Sequence, residues 1–152
     1  MKNLKLFSIA LLCLAFGFSM TSCTKDDPAI DNSAGNVQNT VKSGTWRITS
    51  FIDSGNDETN HFNGYSFTFG SNDVLTSTNG SSSVTGTWNI SDSNSNDDSI
   101  DDLHFNIQFN QTNDFEELNE DWNIISRTST RIELIHISGG NGGTDYLTFE
   151  KQ

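Results

Sequence analysis

Seven residues, Leu103–Phe109, read Leu-His-Phe-Asn-Ile-Gln-Phe, with an apolar side chain at every odd position and a polar one at every even position. A period of two puts successive side chains on opposite faces of an extended strand. One face of that strand is therefore buried and the other is wet, the pattern of an antiparallel sheet. The same alternation recurs along the chain. Residues 45–52 place Trp46, Ile48 and Ile52 on one face. Tyr65, Phe67 and Phe69 share a side of 65–69, and 74–78 follows across the turn residues Gly70, Ser71, Asn72 and Asp73. Val84, Trp88 and Ile90 align within 84–90. Segments 122–128 and 131–138 are joined by a short Ser129-Thr130 turn, and 145–151 ends the chain. No run carries convincing helical spacing, apart from one turn over Phe115, Glu116, Glu117 and Leu118 with Asp114 as its N-cap.

About eight short strands with tight connections predict an all-β domain over residues 44–152. An up-and-down antiparallel barrel removes exposed edges; a two-sheet β-sandwich is the alternative. An eight-stranded barrel is just wide enough for its side chains to fill it, or to hold one small ligand. The aromatic residues Phe67, Phe69, Trp88, Phe105 and Trp122, with His136 in phase with Ile132 and Leu134, are the candidate ligand-binding wall. Packing as a core is the competing expectation for the same side chains.

The N-terminus predicts export. Lys2 and Lys5 precede an apolar stretch over residues 6–20, too short for a permanent span, which needs about 20 apolar residues. Met20-Thr21-Ser22-Cys23 resembles the lipobox of bacterial lipoproteins, with Met20 in place of the usual leucine. The resemblance implies cleavage of a signal peptide, residues 1–22, and lipidation of Cys23. Cys13, the other cysteine, follows Leu12 and lacks the small preceding residue. A single cysteine left after cleavage forms no internal disulfide, and acylation explains its presence. Lipid attachment makes the bilayer a partner through Cys23. The following Lys25-Asp26-Asp27 resembles the surface-export signal of Bacteroidetes-type lipoproteins, which implies anchoring in the outer membrane and display at the cell surface. Residues 23–43, polar and containing Pro28 and Gly35, read as the lipidated cysteine and a flexible tether.

All twenty acidic residues follow Cys23, against six basic ones, a net charge of −14 for the exported segment. Such a field repels nucleic acid and anionic lipid. No nucleophile elbow, zinc-protease motif, P-loop or dinucleotide fingerprint is present, so neither catalytic residue, cofactor nor metal site is expected. Asp92-Ser93-Asn94-Ser95-Asn96-Asp97-Asp98 places oxygen side chains at alternate positions, as calcium loops do. Asp97 stands where such a loop needs glycine, and Leu103 stands at its twelfth position, so a solvated loop is expected.

Gly44-Thr45-Trp46 resembles the Gly-x-Trp that opens the first strand of lipocalins, and Gly86-Thr87-Trp88 repeats it. Residues 122–134 and the ending 146–151 are similar to the late hairpin and last strand of lipocalin-like surface lipoproteins from Bacteroidetes-type bacteria. The resemblance implies a calycin-type barrel with Trp46 structural at its closed end. The chain lacks the helix that follows the barrel in lipocalins. The resulting expectation is a non-enzymatic lipoprotein whose barrel binds a small apolar or amphipathic molecule. The alternative is a filled barrel that binds protein or glycan through its loops, with Phe62, Tyr65 and the 115–122 region as contacts.

Overall fold

A computed structural model of the chain describes residues 31–93, 100–139 and 142–152. Its strands are β1 (Trp46–Asp53), β2 (Asn56–Asp57), β3 (Ser66–Phe69), β4 (Val74–Thr78), β5 (Ser83–Asp92), β6 (Leu103–Phe109), β7 (Asp121–Arg127), β8 (Arg131–Ile137) and β9 (Thr144–Lys151). From β3 to β9 each strand pairs antiparallel with the next, and β9 returns to β1. Eight strands thus close an up-and-down barrel, and β2 is a short extra strand folded back on the end of β1. The sandwich alternative is set aside, because one continuous sheet runs through every strand.

Expected strand limits hold to within two residues, and β6 spans Leu103–Phe109 as read. The faces differ at one place. A register shift between Ile48 and Ser50 inserts a bulge in β1, so Phe51 turns inward and Ile52 faces out opposite Tyr146. The extra residue reverses the alternation beyond it. A second bulge lies between Ile124 and Ser126 in β7 and leaves Ile125 half exposed.

Helix α1 (Ala34–Lys42) occupies part of the segment expected to be a flexible tether. It has one apolar residue per turn, and Val37 and Val41 are fully buried. A nine-residue helix owes its stability to packing rather than propensity. It lies across the end of the barrel where β1 begins and β5 and β7 finish. Trp46 Nε1 donates to Val41 O at 2.8 Å, and Gln38 Nε2 to Ile90 O at 3.5 Å. The buried Arg127 guanidinium donates to Thr40 Oγ1 at 3.1 Å and to Asp31 O. Burial pulls the Arg127 pKa down, against the opposing pull of Asp31.

The opposite end is closed by two 3-10 turns, Thr59–Phe62 and Asp114–Leu118. Phe62 and Phe115 meet edge to face at 5.5 Å over the barrel mouth. The expected turn at 115–118 is present, but its N-cap is Asn113, whose side chain accepts from Phe115 N.

Candidate functional site

The aromatic residues expected to wall a pocket meet one another instead. Phe69 lies 5.3 Å from the rings of both Trp88 and Phe105, and 5.5 Å from Phe149. Phe67 contacts Phe149 at 5.5 Å and Phe115 at 6.2 Å. Trp122 faces Phe51 at 6.4 Å and donates its indole N–H to Leu118 O. Phe67, Phe69, Trp88, Phe105 and Trp122 are all buried in a single cluster with the aliphatic core. Their rings take up space inside the barrel by packing edge to face or tilted against one another. Trp46 is likewise fully buried, with the Lys151 ammonium 4.9 Å from its ring.

His136 is placed differently. Its Nδ1 lies 3.2 Å from Asp145 Oδ2 and its Nε2 lies 3.3 Å from Glu120 Oε2. Asp145 also accepts from Ser54 N at 2.8 Å, which ties the β1–β2 turn to β9. Burial pushes the Glu120 carboxyl up, partly offset by His136. Among the described residues no group of three histidine, cysteine or acidic side chains is arranged to hold a metal ion. His104, expected on the polar face, pairs with Asp121 at 3.1 Å. Cys23, the Lys25-Asp26-Asp27 run and the middle of the acidic loop, residues 94–99, lie outside the described residues.

The open space lies on the barrel wall. β1 and β3 pair at one position, Trp46 with Phe67. Beyond it they part, and the crossing segment 54–65 lies over the gap. Gly55 and Gly64, at φ +89 and +80, allow its sharp turns without a Cβ penalty. A cavity of about 470 Å3 opens along this seam, lined by Arg47, Ile48, Thr49, Thr59, Phe62, Asn63, Gly64, Tyr65 and Gln152. A second, of about 320 Å3, shares Thr59 and Asn63 with it.

Phe62 and Ile48 are buried and form the apolar floor of the larger cavity. Tyr65 is half-buried, its ring edge-on to Phe115 at 5.1 Å. Thr49 Oγ1 is buried and has no hydrogen-bond partner among the described residues. Arg47 is mostly exposed and reaches Glu150 only at 3.6 Å, while Arg131 holds the same carboxylate at 2.5 Å. Of the loop contacts expected from sequence, Tyr65 and Phe62 belong to this site. Phe115, Leu118 and Trp122 are buried in the core.

Arg47, Thr49, Thr59, Asn63 and Gln152 were not legible as a site. They lie on two strands and a long connection, and no spacing links them. The one signal was the length of the segment between the first two expected strands, too long for a hairpin loop and polar apart from Phe62.

No protein-family model matches the sequence, and no curated protein matches it. A solved structure of a DUF4847 family protein from Bacteroides vulgatus is similar, with a TM-score of 0.50 and 19% sequence identity. The match covers 76% of this chain and 97% of that one. At that identity the likeness shows the fold alone, and the barrel is the feature the two share.

Proposed function

We propose that the chain is a lipid-anchored, non-enzymatic binding module that engages its partner from the outside of a filled barrel. The observation that carries this is the packing of Phe67, Phe69, Trp88, Phe105 and Phe149 into one aromatic cluster beneath two closed ends. A barrel filled in this way leaves its wall and loops as the surfaces available to a partner. The first expectation, an apolar molecule held inside, would require these rings to part.

The anchor rests on Met20-Thr21-Ser22-Cys23, with display at the outer face of the outer membrane resting on Lys25-Asp26-Asp27. The site lies on the wall and α1 lies at the end where the chain enters, so a membrane below α1 would leave the seam open to solvent. His136, bracketed by two carboxylates and edge-on to Trp122 at 6.0 Å, is read as structural rather than catalytic.

Native mass spectrometry of the chain recovered from its producing bacterium tests the filled barrel. The expected result is the acylated mass with no retained small molecule. An apolar molecule that leaves only on denaturation would overturn the proposal. Detergent-phase partitioning tests the anchor: the wild type should enter the detergent phase and Cys23→Ala should not.

A further inference from the structure

From the seam cavity, and building on the outside-binding reading above, we infer that this protein binds a neutral saccharide between β1 and the 59–65 segment. The cavity, about 470 Å3, falls within the range of small-molecule sites, roughly 300–1,000 Å3. Its chemistry selects the ligand class. The Asn63 and Gln152 amides and the Arg47 guanidinium offer donors and acceptors side by side, while the Thr59 hydroxyl is already bonded to the Phe51 backbone and Gln152 Oε1 accepts from Ser66 Oγ. Sugar hydroxyls both donate and accept, so they match such a set.

Tyr65 adds a ring with an apolar face and a polar tip, suited to the C–H face of a sugar ring. Beneath the cavity surface the Thr49 hydroxyl is buried with no hydrogen-bond partner among the described residues.

Other classes fit less well. The acidic field disfavours polyanions. An apolar ligand would set its surface against five polar side chains. An added peptide strand would need an open edge on β1, and that edge is in use at Phe51: its N–H donates to Thr59 Oγ1 at 2.8 Å and its carbonyl accepts from Glu58 N at 2.9 Å.

The test is saturation-transfer NMR and calorimetry on the full chain in a sugar-free detergent. The probes are glucose, galactose and mannose, neutral disaccharides and longer neutral glycans built from them, and glucuronate. Saturable binding of at least one neutral saccharide is expected, with glucuronate weaker. Tyr65→Ala and Asn63→Ala should each weaken it by about tenfold, the loss of roughly one good contact. Asn63 is exposed, so its variant should fold normally even if Tyr65→Ala does not.

Affinity that grows with chain length would mark a polymeric glycan as the source, and equal affinity for the monosaccharide would mark a free sugar. No binding to any neutral saccharide, or binding unchanged in a folded Asn63→Ala and Tyr65→Ala, overturns the inference. Lauric acid, tested in parallel by native mass spectrometry, separates the two levels. If neither sugar nor lauric acid binds, the saccharide inference alone falls. If lauric acid binds within the barrel, the outside-binding reading falls with it.

Discussion

Inside the barrel, Phe69 has three other rings within 5.5 Å; on the seam, across β1, Thr49 Oγ1 is buried without a partner among the described residues. The two regions share β1 and β3 yet differ in every property that matters for binding. The interior is apolar, dense and closed at both ends. The seam is polar, partly open, and bordered by the long 54–65 crossing. The contrast teaches how one sheet can be dense inside and open outside: large interior side chains exchange cavity volume for core stability, and a break in strand pairing leaves a cavity on the wall.

The largest expected effect comes from opening the interior. Phe105→Ala should cost about 3–5 kcal/mol, the usual cost of removing a buried ring, read as a lower denaturant midpoint. It should also create a void that takes up benzene, which the wild type should not do. A loss under about 1 kcal/mol would mean that the interior is already loosely packed.

Gly86→Ala probes the same density from the opposite direction. A Cβ there would lie 2.4 Å from Gln108 O and 2.7 Å from Phe109 Cδ1, so backbone must shift. The expected loss is about 1–3 kcal/mol by thermal melting. The second Gly-x-Trp therefore has a packing reason at its glycine.

On the seam the sign should reverse. Thr49→Val removes a buried hydroxyl with no partner among the described residues while keeping the shape, and should leave stability unchanged or raise it by up to about 1 kcal/mol. A clear loss of stability would show that the hydroxyl is satisfied in solution and would weaken the contrast.

The outer wall should respond least, and only above acid pH. Ser126 and Arg131 hold the Glu133 carboxyl below its ordinary value of 4.5. Its contribution is thus complete above that value and fades as pH falls through the lower folded one. Glu133→Gln should cost about 0.5 kcal/mol at neutral pH, as expected of an exposed pair. The gap to wild type should close on acidification; a gap that widens in acid would contradict the assignment.

Much of the architecture was legible because half-buried antiparallel strands reveal themselves by alternation. Leu103–Phe109 has that pattern without a break, and its limits matched. Bulges were not legible, since one extra residue in β1 exchanges Ile52 for Phe51 without any mark in composition. Helix α1 was missed because Val37 and Val41 give only two buried contacts, among polar residues that read as a tether. In retrospect their four-residue spacing, with Lys42 in the last turn, was the available signal. Phe67, Phe69, Trp88, Phe105 and Trp122 all face inward, whereas His136 sits partly exposed between Glu120 and Asp145. Whether inward meant pocket or core depended on how rings from six strands fit together, which no local pattern records. Of the seam, sequence singled out only Phe62 and Tyr65 as candidate contacts, Tyr65 also as the first residue of a strand.

The central claim is that the lumen is full, and crystallography under xenon pressure tests it most directly, because xenon enters dry apolar voids. The account predicts no xenon site among Phe69, Trp88 and Phe105 in the wild type and a new one in Phe105→Ala. Xenon, or density for a retained ligand, among those rings in the wild type would contradict it.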